Sequence, residues 1–225
     1  MTVSEAVLSR RSVRAFLDTA VPVPLIAEIL TKASRAPSGG NVQPWKLYVL
    51  AGEPLANFKA LIEQRLMECP EGDLPLEYNV YPQPLKPPYR DYRFKNAVDY
   101  STAVGIARED KAGRLRLFAN NYRFFGAPLA LFCFLDRSMG PPQWSDLGMY
   151  LQTVMLLARE AGLHSCAQEC WSRYHRTVRE FLKSPEDLML FCGMAIGYED
   201  PDAPANRMRA DRAPLEEFCQ FVTSR

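Results

Sequence analysis

The chain has 225 residues, of which 48% are hydrophobic, with 27 Lys and Arg against 26 Asp and Glu. This length and apolar content suffice for one sizeable core, so a single domain over residues 1–225 is expected. The near-neutral charge gives no reason to expect a nucleic acid or an anionic membrane as partner. No stretch approaches the roughly 20 apolar residues of a membrane span, and the start lacks the apolar core of a signal peptide. A cytoplasmic protein is predicted.

The first half of the chain shows helical periodicity around one apolar strand. Residues 2–10, a segment opened by Pro24, and residues 54–67 place apolar residues on one face, which predicts three helices. Residues 45–50 are predicted to form a buried strand.

The segment from Cys69 to about Arg93 contains six prolines and is predicted to be irregular. Irregular segments of this length are commonly functional lids or disordered. We place a proline-rich lid at about residues 70–95.

The second half alternates helical and strand patterns. In order, these are a helix over 107–124, a strand over 129–135, a helix over 146–161, a short strand over 166–170, a helix over 174–183, a strand over 188–198 and a last helix from Pro214. The helix over 146–161 is apolar on almost every side, which is typical of a core or a subunit interface. Many helices around a few strands predict an α+β fold.

The six cysteines have no metal-type spacing, so reduced thiols and no metal site are predicted. The chain also lacks the GxSxG, GxGxxG and GxxxxGK[ST] motifs, which argues against a serine hydrolase, Rossmann dinucleotide binding and P-loop chemistry. With only His164 and His175, a Ser-His-Asp hydrolase has little support, whereas the spacing of Cys166 and His164, two residues apart, leaves a thiol nucleophile pair as an alternative.

Two basic clusters lie at opposite ends of the chain. The donors near the start are Arg10, Arg11, Ser12 and Arg14, and those near the end are Arg209 and Arg212. Guanidiniums and a hydroxyl at this spacing are suited to holding a phosphate. Taken alone, the first cluster is equally typical of a solvated helix end. Two such clusters in a neutral chain can converge on one anion.

A second motif is the loop around Gly39 and Gly40. With Ser38 and Asn41 on either side, it lets the backbone approach a flat ligand closely while donors point at the ligand. The same composition is ordinary for a turn that ends a helix.

The order of four motifs resembles the FMN-dependent nitroreductase family over nearly the whole chain. They are RRSVRAF, SRAPSGGNVQPWKLYVL, DLGMYLQTVMLLAREAGL and NRMRADRAPLEEF. The resemblance implies a central, mostly antiparallel sheet flanked by helices, in an intertwined homodimer with FMN at the interface. YPQPLKPPYRDYRF, RFFGAP and QWSDLGM look most like the nitrobenzoate-type nitroreductases.

The resemblance implies roles for the basic clusters. Arg10, Ser12 and Arg212 match ligands of the FMN phosphate, and Arg11 and Arg209 are further candidates. Arg14 matches a cation near the flavin's pyrimidine edge, where positive charge stabilises the reduced flavin.

The resemblance also assigns residues to the flavin ring. Residues matching Pro37, Ser38, Gly39 and Asn41 reach the flavin of the other subunit, which implies a composite site. Asn121 and Arg123 match an amide and a cation at the ring's polar edge, with Asn120 as the rival of Asn121.

In the family, a backbone amide at the position of Gln168, Glu169 and Cys170 contacts flavin N5. The family often has Gly after the Glu, whereas this chain has Cys170, whose side chain occupies space that Gly leaves free. A plain strand end is the alternative interpretation.

The lid offers aromatic faces and guanidiniums for an anionic aromatic substrate through Tyr89, Arg90 and Arg93. Solvated loop charges are the commoner fate of such arginines. The predicted function is an FMN-dependent oxidoreductase that passes electrons from NAD(P)H to nitroaromatic or quinone-like acceptors by a ping-pong mechanism. The flavin would do the chemistry with no essential protein acid or base. Deiodinase-like or flavin-cleaving activity and a non-catalytic flavin-binding role stay open as alternatives.

Overall fold

The structure is a computed structural model that describes residues 1–223. Within this range, four antiparallel strands form one sheet in the order β1-β2-β4-β3. The strands are β1 Lys46–Ala51, β2 Leu129–Asp136, β3 His164–Gln168 and β4 Leu188–Gly197. The predicted α+β class with a mostly antiparallel sheet is therefore confirmed.

Helices cover both faces of the sheet. They are α1 Val3–Ser9, α2 Val23–Ala33, α3 Gly52–Glu68, α4 Tyr89–Ala103, α5 Lys111–Ala119, α6 Pro141–Glu160, α7 His175–Leu182 and α8 Leu215–Phe218. Short 3-10 turns occupy Gly39–Asn41, Asn120–Gly126, Glu169–Tyr174 and Pro204–Asn206. None of these helices is long and apolar enough to cross a membrane.

Strand β2 shows why the core has two halves. Its residues from Leu129 to Leu135 are all buried. Side chains alternate between the faces of a strand, so Phe132 and Phe134 point to one layer while Leu131 and Cys133 point to the other. A strand buried on both faces reads as a continuous apolar run, which is why the sequence identified it.

One core layer is aromatic and centres on Trp171. Its ring stacks on Phe124 with centroids 4.8 Å apart and meets Phe58 at 5.5 Å. Gly193 of β4 lies beneath it, and a Cβ there would come within 2.4 Å of the indole. This close packing fixes the turn Glu169–Tyr174 against the sheet.

Helix α6 fills the other layer. It buries Leu147, Leu151 and Val154, and its Tyr150 ring stacks on Trp45 at 4.6 Å. Met149, on the outer side, remains 39% exposed. The helix therefore serves the core and still presents apolar surface outwards.

Several predicted boundaries were wrong. Helix α4 begins at Tyr89, inside the segment expected to be irregular, because no proline follows Pro88 to interrupt it. The helix expected over 107–124 is α5 followed by a 3-10 turn in which Phe124 and Phe125 adopt left-handed backbone angles. Helix α6 begins at Pro141, since proline is tolerated in the first turn.

The remaining differences are smaller. Strand β3 is His164–Gln168, so Glu169 and Cys170 lie beyond it in the 3-10 turn rather than in a strand. The last helix has only four residues, Leu215–Phe218.

All six cysteines are unpaired.

Candidate functional site

The two basic clusters meet around one open cavity of about 670 Å³, which we call the phosphate cavity. Its donors are Arg10, Arg11, Ser12, Arg14, Arg209 and Arg212. Val7, Leu8 and Gln152 complete part of its wall. Residues about 200 positions apart in the chain thus converge on one cavity, in agreement with the convergence expected from the two basic clusters.

Backbone pairing brings the first cluster into place. Val13 donates its N–H to the Ser165 carbonyl at 3.1 Å, so the N-terminal segment runs beside the start of β3. Farther on, Phe16 forms a bridge with Glu199 after the end of β4.

Asn206 joins the second cluster to the first. Its side chain is 3% exposed, accepts the Arg14 N–H and donates to the carbonyls of Ala15 and Asp200, each at 2.8 Å. A buried amide with all these bonds satisfied fixes the geometry firmly. No sequence pattern indicates this role, although Asn206 opens the motif that carries Arg209 and Arg212.

The phosphate cavity is strongly positive. Burial and the neighbouring charge of Arg212 lower the pKa of Arg10, while burial and the charges of Arg209 and Arg159 lower that of Arg11. The Arg14 guanidinium lies 4.8 Å from the Tyr100 ring centroid. An anion in this cavity would relieve the repulsion between the guanidiniums.

Arg11 differs from its neighbours because it forms an ion pair with Glu199. Its Nε is buried and has no hydrogen-bond partner among residues 1–223. Arg11 is therefore shared between Glu199 and the cavity. No motif indicates Glu199, which lies 188 positions after Arg11 in the chain.

A second open cavity of about 580 Å³, the lid cleft, lies under the proline-rich segment. Residues from Leu76 to Leu85 form one side, together with Arg93 of α4. The other side contains Asn121, Gln168, Glu169, Cys170 and Arg173. Burial raises the pKa of the Glu169 carboxyl and raises that of the Cys170 thiol strongly.

Gln168 lines the lid cleft and is buried. Its Nε2 donates to the Asn121 carbonyl, whereas its Oε1 is buried and lacks a partner within the described residues. Asn121 lines the cleft, while Asn120 lies outside its lining and accepts a hydrogen bond from Arg123 at 3.2 Å. An unpaired buried acceptor here fits a ligand with an N–H donor.

Other predicted residues lie elsewhere. Arg123 forms an ion pair with Glu63 of α3 and lines neither cavity. Arg90 pairs with Asp91 at 2.8 Å, and Tyr89 is 65% exposed. Of the three predicted substrate residues, the structure brings only Arg93 to the lid cleft, where its guanidinium lies 4.5 Å from the Tyr81 ring centroid.

The phosphate cavity and the lid cleft lie at opposite ends of β3. Ser12 is paired with Ser165 near the start of the strand, and Gln168 ends it. Three residues of strand span about 10 Å. The arrangement suits an elongated ligand with an anionic group at one end and a flat polar group at the other.

The loop Pro37–Asn41 lines neither of these cavities in its own chain. Gly39 donates its N–H to the buried carboxylate of Asp146 at 3.3 Å, and Gly40 and Asn41 adopt positive φ angles of 57°. Pro37, Gly39 and Asn41 are exposed. The loop is thus anchored by Asp146, while Pro37, Gly39 and Asn41 stay accessible.

Behind the phosphate cavity, His164 makes two contacts with Glu199. Its Nδ1 accepts the Glu199 N–H at 3.3 Å, and its Nε2 lies 3.1 Å from Glu199 Oε2. Arg159 approaches the same Nε2 at 2.9 Å. Burial and the charges of Arg159 and Arg11 lower the pKa of His164 to about 4.

Comparison with known proteins shows that the chain belongs to the nitroreductase family, whose model matches residues 7–198. The nitrobenzene nitroreductase of Ectopseudomonas oleovorans is 36% identical over 98% of this chain and 96% of its own length. The 4-nitrobenzoate reductase of Pseudomonas putida is 38% identical over 96% of this chain and 93% of its own.

The FMN and NADPH-dependent nitroreductase NfnB of Sphigopyxis sp. strain HMH has a solved structure. It superposes with a TM-score of 0.96 at 46% identity, and the match covers 100% of both chains. The family and fold that the sequence motifs predicted are confirmed.

The lowered pKa of His164 predicts acid sensitivity. Its folded value of about 4 lies below the ordinary 6.5. Neutral His164 therefore contributes its full stability above the unfolded pKa and loses it as the pH falls from about 6.5 to about 4. Between about pH 7.5 and about pH 5, His164→Gln should lose about 1–2 kcal/mol less unfolding free energy than wild type. Urea titrations at both pH values measure this, and equal losses in the two proteins would refute the assignment.

Proposed function

We propose that the protein is an FMN-dependent oxidoreductase that passes electrons from NAD(P)H to nitroaromatic acceptors. Its relatives are nitroreductases, and NfnB, which aligns along the whole chain, is FMN- and NADPH-dependent, so the predicted class and cofactor are confirmed. The observation that carries the proposal for this chain is the placement of a cationic cavity and a polar cleft at the two ends of β3.

The phosphate cavity fits the phosphate of FMN. Arg10, Arg14, Arg209 and Arg212 have no carboxylate partner within residues 1–223, and Arg11 contributes a buried unpaired N–H. A phosphate monoester carries about −1.5 to −2 charges at neutral pH and accepts several hydrogen bonds. The guanidiniums and the Ser12 hydroxyl would hold it.

The lid cleft fits the flavin ring. The unpaired Oε1 of Gln168 would accept a ring N–H, and the main chain of Glu169 and Cys170 would lie beside the ring. Bound FMN supplies hydride acceptance and donation at N5. The chain's own contributions are to anchor the phosphate, to orient the ring, and to place the Arg14 cation where it favours the reduced cofactor.

The working form that we propose is a homodimer with shared active sites. The exposed loop Pro37–Asn41 would reach the partner's flavin. Apolar residues are also exposed along the C-terminal segment, with Phe218 at 70% and Phe221 at 73%. Such surface is typical of an interface.

The six unpaired cysteines fit the cytoplasm, a reducing compartment.

The proposed function is tested by one spectroscopic experiment. The purified protein should show the absorbance of bound oxidised flavin, lose it on anaerobic addition of NADPH or NADH, and regain it on addition of a nitroaromatic. A colourless protein that takes up no FMN would contradict the proposal, and a flavin that neither nucleotide bleaches would leave only a binding role.

Arginines from both ends of the chain should be needed for FMN binding. A hydrogen bond to a charged group contributes about 1.5–3 kcal/mol, so Arg10→Ala or Arg212→Ala should weaken FMN binding at least about tenfold. Quenching of flavin fluorescence measures the affinity. Riboflavin, which lacks the phosphate, should lose little affinity in either variant, and Arg116→Ala, on the outer surface of α5, is the matched control. Retention of FMN after dialysis of both variants would remove the phosphate assignment.

Shared sites predict complementation between two inactive variants. Gly39→Val should block the partner's flavin site, because the added side chain would project from the loop that reaches the partner. The chain that carries the substitution should still fold, since the nearest atom of its own would lie 4.0 Å from the new Cβ. Arg10→Ala disables the phosphate cavity of its own chain. After both are unfolded and refolded together, each mixed dimer should contain one intact site, which restores roughly a quarter of the flavin binding by random pairing. No recovery, or a flavin-loaded monomer in ultracentrifugation, would contradict the shared site.

The guanidinium in the lid predicts a preference for anionic acceptors. An aromatic acid gains a charge-assisted hydrogen bond that its uncharged analogue lacks. Reoxidation of the pre-reduced enzyme by nitrobenzoate should therefore be favoured over reoxidation by nitrobenzene, and Arg93→Ala should narrow that gap. Arg90→Ala is the comparison, since Arg90 is paired with Asp91 outside the cleft. A gap that Arg93→Ala leaves unchanged would count against the lid assignment.

A further inference from the structure

Arg173 is a cation of the lid cleft that no motif identified. Its side chain is half-buried and lines the cleft beside Cys170. Within residues 1–223 its guanidinium makes no ion pair and no hydrogen bond. Burial raises the pKa of Tyr122, Cys170 and Tyr174, and the nearby charge of Arg173 opposes each rise. The guanidinium therefore lies close to the turn that we place beside the flavin.

Gly72 and Asp73, at the start of the proline-rich lid, pack against Arg173. Gly72 has a φ of +85°, and a Cβ there would come within 2.2 Å of Arg173 Cγ and 2.4 Å of its carbonyl oxygen. The next residue, Asp73, donates its N–H to that carbonyl at 2.7 Å. Only glycine fits at residue 72. The backbone of Gly72 and Asp73 therefore packs against Arg173 and fixes the start of its side chain.

The nearby carboxylates are committed to other cations. Asp73 is buried, binds Arg65 at 3.2 Å and accepts the N–H of Thr177 at 2.8 Å. Glu77 is held by His175 and Arg137; its burial disfavours ionisation, yet the hydrogen bonds from these two side chains lower its pKa to about 2. Both acids are thus already paired with other cations.

Glu169 is the remaining carboxylate of the cleft lining. It forms no ion pair with Arg173 within the part of the chain that the structure describes. Partial burial raises the pKa of its carboxyl. Arg173 is left without an ion-pair partner among residues 1–223, in a cleft whose other charged lining residues are Glu169 and Arg93.

We propose that Arg173 determines acceptor specificity by binding the carboxylate of an aromatic acceptor. A guanidinium binds a carboxylate through two parallel hydrogen bonds, which fixes both the charge and the orientation of the ring. Arg173 is better placed for this than Arg93, which is exposed and lies over Tyr81. The inference rests on the proposed function, because it assumes that the acceptor enters the lid cleft.

Binding can be measured without turnover. The oxidised protein, free of NAD(P)H, is titrated with 4-nitrobenzoate and with 4-nitrobenzamide in a calorimeter. Arg173→Gln should raise the dissociation constant of 4-nitrobenzoate about tenfold or more and leave that of 4-nitrobenzamide unchanged, since only the acid loses a charge-assisted bond. Arg176→Gln, an exposed arginine three residues later that lies outside the cleft lining, is the matched control and should change neither.

A second variant tests the supporting backbone. Gly72→Ala should displace the Arg173 stem and lower the preference for the acid while FMN binding is retained. The proposal is overturned if Arg173→Gln weakens both ligands equally or weakens neither. Bleaching by NADPH and reoxidation by nitrobenzene are followed separately, so a failure of the proposed reductase function is seen independently of the loss of acid binding.

Discussion

The candidate site depends on the pairing of the N-terminal segment with the ends of two strands. The bonds from Val13 to Ser165 and between Phe16 and Glu199 hold the first basic cluster against β3 and β4. Like charges confined near one cavity repel one another, so this arrangement needs an opposing force. The backbone bonds and the buried amide of Asn206 supply it. The cavity therefore exists before any anion neutralises it, and binding need not pay for its assembly.

The sequence predicted best where the physical signal is local. Strands β2 and β4 are continuous apolar runs, and both were found nearly to their ends. The irregular segment was extended too far because its proline count obscured the sequence after Pro88, which has no helix breaker and forms α4. The two left-handed residues Phe124 and Phe125 were not predictable from local propensity, since non-glycine residues rarely adopt this conformation.

The site was predictable only in part, because most of its contacts join residues that are distant in the chain. The convergence of Arg10 and Arg212 was inferred from resemblance, and the structure brings both to one cavity. Arg123 is also a cation that the resemblance assigned to the flavin, but it forms an ion pair with Glu63, a contact that no motif indicates. No motif indicated Arg173, because Gly72, which packs against it, lies about 100 residues away in the chain.

The way in which acidic residues are paired explains how a nearly neutral chain presents two cationic sites. The net charge is only +1, so selectivity for anions cannot come from a general field. Instead, Glu199 is taken by Arg11 and His164, Asp73 by Arg65, and Glu77 by Arg137 and His175. The guanidiniums of Arg93 and Arg173 in the lid cleft, and of Arg10, Arg14, Arg209 and Arg212 in the phosphate cavity, have no carboxylate partner within residues 1–223. The same pairing thus leaves cationic side chains at both ends of β3, where we propose that the phosphate and an acidic acceptor bind.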